Sequence, residues 1–126
     1  MTEGYKMKQY VGPVKRYVQT MDLKNAPELM ARYRQVHSRE GVWPEILEGI
    51  RQVGILEMDI YLLDGRLVMI VETPVDFCWD EAMTRLATLP RQQEWEEFVA
   101  QFQQCDAQAT SDEKWKMMDR IFHLYE

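Results

Sequence analysis

Two side chains that can move protons lie four residues apart in one segment of the chain. Tyr33 and His37 fall on the inward stripe of a predicted helix, so both should point to the same side. Imidazole titrates near neutral pH and suits general acid–base catalysis, and a phenol can handle a second proton. The alternative is structural, with His37 a hydrogen-bonded core histidine and Tyr33 a packing residue. The spacing alone leaves both interpretations open.

Four tryptophans add flat apolar surfaces that can pack against one face of a pyranose ring. Trp95, at a predicted helix start after Pro90, is a candidate for this role, and Trp43 is another. Tryptophans are also typical of hydrophobic cores, so packing is the alternative for each of them. An acid–base pair beside an aromatic surface would suit proton transfer on a small neutral molecule such as a sugar.

Several other classes of function are disfavoured by the composition. A net charge of −6 is unsuited to binding nucleic acid or an anionic membrane, and no apolar run is long enough to span a bilayer. Two histidines and two distant cysteines, Cys78 and Cys105, form no metal-ligand set, and no glycine-rich phosphate loop or Gly-x-Ser-x-Gly motif occurs. We therefore expect a cytoplasmic protein with free thiols and with no metal, no cofactor, no nucleic-acid partner and no membrane partner. Asp59 and Glu72 are expected to be exposed at sheet edges.

The elements that position these residues can be read from the hydrophobic pattern. Length suggests one domain over residues 15–126, preceded by a flexible lead-in over residues 1–14. Asp64-Gly65 is a strong hairpin signal and predicts a type I′ turn between two antiparallel strands. The pattern predicts strands at 15–23, 55–63, 66–73 and 116–125, helices at 27–39 and from 44, and further helical stripes at 79–86 and 95–102.

This order predicts an α+β fold of the ferredoxin-like kind, a four-stranded antiparallel sheet with helices on one face. The other face still carries large apolar side chains, such as Tyr61 and Leu63. A second subunit is the natural cover for that face, so we expect a homodimer formed through the sheet.

The chain also resembles a known family over residues 15–125. The most telling feature is Tyr-x-x-x-His on the first helix followed shortly by Trp-Pro-Glu. The matching segments are KRYVQTMDL, YRQVH, VWPEI, VGILEMDIYLLDGRLVMIVET, QEWEEF and a closing FHLY. In these segments the chain resembles the L-rhamnose mutarotase family.

The resemblance implies a dimeric α/β barrel that interconverts the α and β anomers of L-rhamnose without a cofactor. It implies that His37 is catalytic, that Tyr33 contacts the substrate, and that Trp95 is the first of two aromatic residues that bind the sugar. The second aromatic position is Glu96 here, and a further substrate-contacting tyrosine aligns with Met58.

These departures affect the residues that contact the sugar rather than those that move protons. We therefore expect Tyr33, Trp95, Met58, Glu96 and Trp43 to form the substrate site. L-fucose or another 6-deoxy sugar is the alternative substrate. Two rival interpretations keep the same architecture: a small monooxygenase or haem protein, with His37 as the haem ligand in the latter, and a sugar-binding domain without catalysis.

Overall fold

A computed structural model describes residues 2–106 and 108–125. The elements are strands β1 (Val14–Asp22), β2 (Glu57–Leu63), β3 (Arg66–Pro74) and β4 (Lys116–Met117), and helices α1 (Pro27–Val36), α2 (Pro44–Gln52), α3 (Trp79–Leu86), α4 (Gln92–Ala100) and α5 (Ser111–Lys114). The predicted α+β order is confirmed. None of these helices is both long and apolar enough to cross a membrane.

All neighbouring strands of the sheet are antiparallel, in the order β2-β3-β1-β4. Because side chains alternate along a strand, one face of β3 presents Leu67, Met69, Val71 and Thr73, all of which are buried against the helical layer. The opposite face, which we call the open face, carries Val68, Ile70 and Glu72 on that strand. The hydrophobic core therefore lies on the helical side of the sheet.

The hairpin between β2 and β3 has the predicted two-residue loop but a different turn. Leu63 pairs with Arg66, and Asp64 has a φ of 54°, in the left-handed region. Gly65 has no left-handed φ, so the turn is not the predicted type I′, which requires a positive φ at both positions. The short aspartate side chain tolerates the left-handed conformation, so Asp64 adopts it and Gly65 takes a different backbone conformation.

The C-terminal strand is much shorter than predicted. β4 pairs only Lys116 and Met117 with β1, and one further backbone bond joins the Met118 amide to the Val18 carbonyl at 2.7 Å. Residues 119–125 then leave the sheet and are exposed. Alternating apolar side chains indicate strand propensity, but a strand forms only where a neighbouring backbone is available to pair with it.

The polar segment before β4 contains a short helix that the sequence prediction missed. Thr110 caps α5, since its hydroxyl accepts from the Glu113 amide while the Glu113 carboxylate accepts from the Thr110 amide. This reciprocal pair is a capping box, and the sequence Thr-Ser-Asp-Glu carries its signature. α5 places Lys114 and Trp115 inside the fold.

Residues 2–13 contain no helix or strand, yet several of their side chains contact the sheet. The Tyr10 hydroxyl donates to Glu72 over 2.9 Å, and Tyr5 packs edge-on against Tyr61 on the open face. Glu72 is only 5% exposed and also accepts from Arg16 at 2.6 Å. The expectation that Glu72 is exposed at a sheet edge is therefore wrong, because β3 is a central strand and two side chains cover the carboxylate.

Candidate active site

The proposed catalytic histidine lies just beyond its helix rather than inside it. α1 ends at Val36, not near residue 39 as predicted, and His37 is the C-cap residue with φ −100° and ψ 2°. The last carbonyls of a helix lack intrahelical partners, and the imidazole Nδ1 lies 2.9 Å from the free Tyr33 carbonyl. The side chain thus replaces a missing backbone donor at the helix end.

This contact fixes the tautomer of the neutral imidazole. A carbonyl oxygen can only accept, so Nδ1 carries the proton and Nε2 presents a lone pair. Burial lowers the pKa of His37 below its ordinary value of 6.5, and the bond to the Tyr33 carbonyl opposes that shift only in part. At neutral pH His37 is therefore an uncharged ring that can accept a proton at Nε2.

Tyr33 lies directly beside this ring and is almost completely buried. The two ring centroids are 4.2 Å apart, and Tyr33 is 3% exposed. Burial is also the main reason that the pKa of the Tyr33 hydroxyl is raised, with a further increase from the nearby Glu96 carboxylate. The phenol therefore remains protonated at neutral pH and can act as a donor. The predicted pairing of the two side chains is present in the fold.

Both side chains line a cavity of about 380 Å³ between the sheet and the helices. Its wall is largely apolar, and Met69, Ile60 and Trp115 contribute to it. Four of the five predicted substrate-binding residues border the same space: Tyr33, Met58, Trp95 and Glu96. A cavity of this size with a few polar groups suits a small organic ligand.

The tryptophans occupy different places around this cavity. Trp95 is 6% exposed, and its ring meets the His37 ring edge-on with centroids 5.4 Å apart. Trp43 packs against Trp95 and Phe98 and carries the Arg91 guanidinium on its face at 4.0 Å, but it does not border the cavity. Trp43 therefore supports Trp95 from behind.

One wall of the cavity contains a buried ion pair. Lys114 Nζ lies 2.9 Å from Glu96 Oε1 and 2.6 Å from the Glu96 main-chain oxygen, while Gln92 donates to Glu96 Oε2 over 2.5 Å. The Lys114 side chain has no exposed surface, and that of Glu96 is 10% exposed. Both carboxylate oxygens are bound, so the charged group is satisfied within the protein.

Sequence reasoning missed two polar residues of this site. Lys114 pairs with Glu96 across 18 residues, and Gln103 lies 70 residues from Tyr33, to whose hydroxyl it donates over 3.3 Å. Neither partner can be deduced from local spacing. Gln103 stands in AQFQQCDA and Lys114 in TSDEKWKMM, so both lie among other polar residues and nothing in the local pattern marks them as buried.

A second opening reaches the Tyr33 and His37 side chains from the edge of the sheet. It measures about 520 Å³ and is bordered by Tyr33, His37 and Asp59, and by Tyr5 and Met7 of the N-terminal segment. Asp59 is half-buried on edge strand β2. Burial and the neighbouring Glu57 and Glu72 carboxylates raise the pKa of the Asp59 carboxyl.

Comparisons with known proteins show which family this chain belongs to. The sequence profile of the L-rhamnose mutarotase family matches residues 16–124. An L-fucose mutarotase from Xanthomonas campestris is 34% identical over 113 residues, which is 90% of this chain and 90% of that protein. A UPF0734 protein from Dictyostelium discoideum is 32% identical over 114 residues, covering 87% of this chain and 90% of the other.

The architecture also resembles a solved structure. The crystal structure of an L-rhamnose mutarotase from Formosa agariphila superposes with a TM-score of 0.66, covering 88% of this chain and 99% of the other at 18% identity. At 18% sequence identity, this comparison supports a shared fold and nothing more specific.

Proposed function

Because the chain belongs to the L-rhamnose mutarotase family, we propose that this sugar mutarotase interconverts the α and β anomers of a free 6-deoxy hexose. L-rhamnose is the first candidate substrate, and L-fucose is the second, on the strength of the L-fucose mutarotase from Xanthomonas campestris. The observation that carries the proposal is the His37–Tyr33 pair, in which a proton acceptor and a proton donor line the same cavity.

The reaction needs one proton removed and one supplied. Loss of the anomeric hydroxyl proton and protonation of the ring oxygen open the ring to the free aldehyde. Rotation about the C1–C2 bond and closure on the other face then give the other anomer. His37 Nε2, with its lone pair free, is suited to take the first proton, and the Tyr33 hydroxyl to give the second. Both residues return to their starting state when the ring closes.

The remaining walls of the cavity would hold the sugar. Trp95 offers an apolar ring face beside His37 and suits the C–H face or the methyl group of the sugar. Met58 adds apolar surface from β2, and Glu96 adds a carboxylate. Trp43 does not border the cavity, so its role in binding is to hold Trp95 in place.

The test is saturation-transfer NMR of anomeric exchange with a panel of free sugars. We expect exchange above the uncatalysed rate for L-rhamnose, L-fucose or both, and none for unrelated hexoses. A protein that binds one of these sugars saturably but leaves its exchange at the uncatalysed rate would instead be a binding domain, and the proposal would be wrong.

We further propose a homodimer formed through the open face of the sheet. Support comes from the half-buried Val18, Val68 and Ile70 at its centre and from Tyr61 and Leu63, which are 37% and 75% exposed. Each subunit would contribute residues 15–126 as one domain. Light scattering at micromolar concentration should give about twice 15.1 kDa, and a single-chain mass would contradict the dimer. The free thiols Cys78 and Cys105 suit a reducing compartment, which supports our proposal of a cytoplasmic location.

A further inference from the structure

We propose that Gln103 is a positioning residue that directs the Tyr33 proton into the cavity, an inference that rests on the proposed mutarotase function. Gln103 is 2% exposed and lies after α4, where its amide donates to the Tyr33 hydroxyl over 3.3 Å. Its main-chain N–H donates a hydrogen bond to the Ala100 carbonyl over 3.2 Å, and its backbone forms an isolated β-bridge with Leu23.

The argument begins with what a phenol can do. A tyrosine hydroxyl has one proton to donate, and its oxygen can accept hydrogen bonds. The Gln103 amide occupies the oxygen as a donor, so the Tyr33 proton must point to another acceptor. Within residues 2–106 and 108–125, no side chain or carbonyl accepts that proton, and the hydroxyl belongs to a residue that lines the cavity.

The orientation of the amide therefore decides the chemistry. With its nitrogen toward Tyr33, Gln103 leaves the phenol proton free for a substrate oxygen. With its oxygen there instead, the same side chain would accept that proton and remove it from the reaction. The Cys105 thiol lies 3.8 Å from Gln103 Oε1, and a thiol proton on that oxygen favours the first orientation.

His37 and Tyr33 are thus set in complementary roles by two different contacts. The Tyr33 carbonyl holds the His37 proton on Nδ1 and leaves Nε2 as an acceptor, whereas the Gln103 amide leaves the Tyr33 hydroxyl as a donor. Since both catalytic groups line one cavity, the direction of proton transfer is set before substrate binds.

The decisive variant is Gln103→Glu, which keeps the shape but gives an ionised group that can only accept. It should capture the Tyr33 proton and lower kcat by about 10²-fold at neutral pH, the loss typical of a missing proton donor. KM should change much less, because the sugar contacts are retained. Gln101→Glu, the same substitution at an exposed position two residues away, is the matched control and should leave exchange unchanged.

The pH dependence separates this role from simple packing. Burial raises the pKa of the introduced carboxyl, which on protonation gains an O–H that can donate to Tyr33 as the amide does. The ratio of the Gln103→Glu rate to the wild-type rate should therefore rise as the pH falls. A ratio that does not change with pH would overturn the proposal.

A double-variant cycle provides the second readout. If Gln103 acts through Tyr33, the Gln103→Glu change should cause no further loss of kcat in a Tyr33→Phe background. If the two substitutions instead lower kcat independently, so that their effects multiply, the proposal is overturned. Should the Gln103→Glu protein fail to fold, Gln103→Met is tested in the same two backgrounds with the same criterion. A wild-type protein that does not accelerate exchange would refute the proposed function instead, which keeps the two failures distinct.

Discussion

The cavity has two polar regions that are built in opposite ways. Around His37 and Tyr33 the groups are neutral, and His37 Nε2 and the Tyr33 proton are left without a partner among the described residues. Around Glu96 and Lys114 the groups are charged, and both carboxylate oxygens are bound. A group that exchanges protons with a substrate needs a free lone pair or a free proton. A buried charge instead needs hydrogen-bond partners for all of its polar atoms. We infer that the first region carries out the chemistry and that the second stabilises the wall.

The largest expected effect is on the catalytic side of this comparison. His37→Ala should lower anomeric exchange by about 10²–10⁴-fold, because it removes the proton acceptor. The fold should persist, since His37 is half-buried at a helix end and the contact that is lost is a local one, to the Tyr33 carbonyl. Circular dichroism, melting temperature and exchange are measured on one sample. A destabilised variant with full exchange per folded molecule would return His37 to a packing role.

Lys114→Met should show the opposite pattern. Removing one partner of a buried ion pair leaves Glu96 uncompensated, which typically costs about 3–5 kcal/mol of the free energy of unfolding. Exchange per folded molecule should stay within about tenfold, because neither proton-transfer group changes. Lys116→Met, an exposed change two residues away, is the matched control for loss of a positive charge. Normal stability combined with abolished exchange would place this pair in the chemistry and break the comparison.

The pH dependence sharpens the comparison further. Catalysis as proposed needs neutral His37, whose folded pKa lies below 6.5. The value of kcat/KM should therefore be flat around pH 7 and fall about tenfold per pH unit below the folded pKa, as the ring gains a proton. Between 6.5 and the folded pKa, the folded state binds fewer protons than the unfolded state, so stability declines as the pH falls from 6.5 to the folded pKa and this group causes no further loss below it. An inflection above 6.5 would mean that the ring is charged where we place it neutral.

The two regions also differ in how far the sequence could predict them. His37 and Tyr33 are four residues apart, so helical spacing brought them together even though α1 ends one residue earlier than His37. The partners Gln103 and Lys114 lie 70 and 18 residues from the groups they bind, and only the fold joins them. Local periodicity cannot report such contacts, because they depend on how separate elements pack.

The strands show the same distinction. The β2–β3 hairpin was predicted because adjacent strands pair through a two-residue loop, and this local signal was sufficient. The extent of β4 was overestimated, since its alternating pattern gives no information on where a partner strand ends. Glu72 was misplaced for a related reason: its cover comes from Tyr10 and Arg16, one of which lies outside any strand or helix.

The smallest expected effect concerns the thiols. Cys78 is exposed and touches neither polar region, so Cys78→Ser should leave exchange and stability unchanged. Cys105 is half-buried and lies 3.8 Å from Gln103 Oε1, and burial raises the pKa of its thiol, which makes it a poor nucleophile. Serine at this position can still donate to the amide oxygen, so Cys105→Ser should keep exchange within a few-fold, whereas Cys105→Ala removes the donor and should cost slightly more. Exchange by NMR across the three variants tests this order. Equal rates for the serine and alanine variants would show that the thiol does not help to orient Gln103, and loss of all exchange in a folded serine variant would give Cys105 a chemical role.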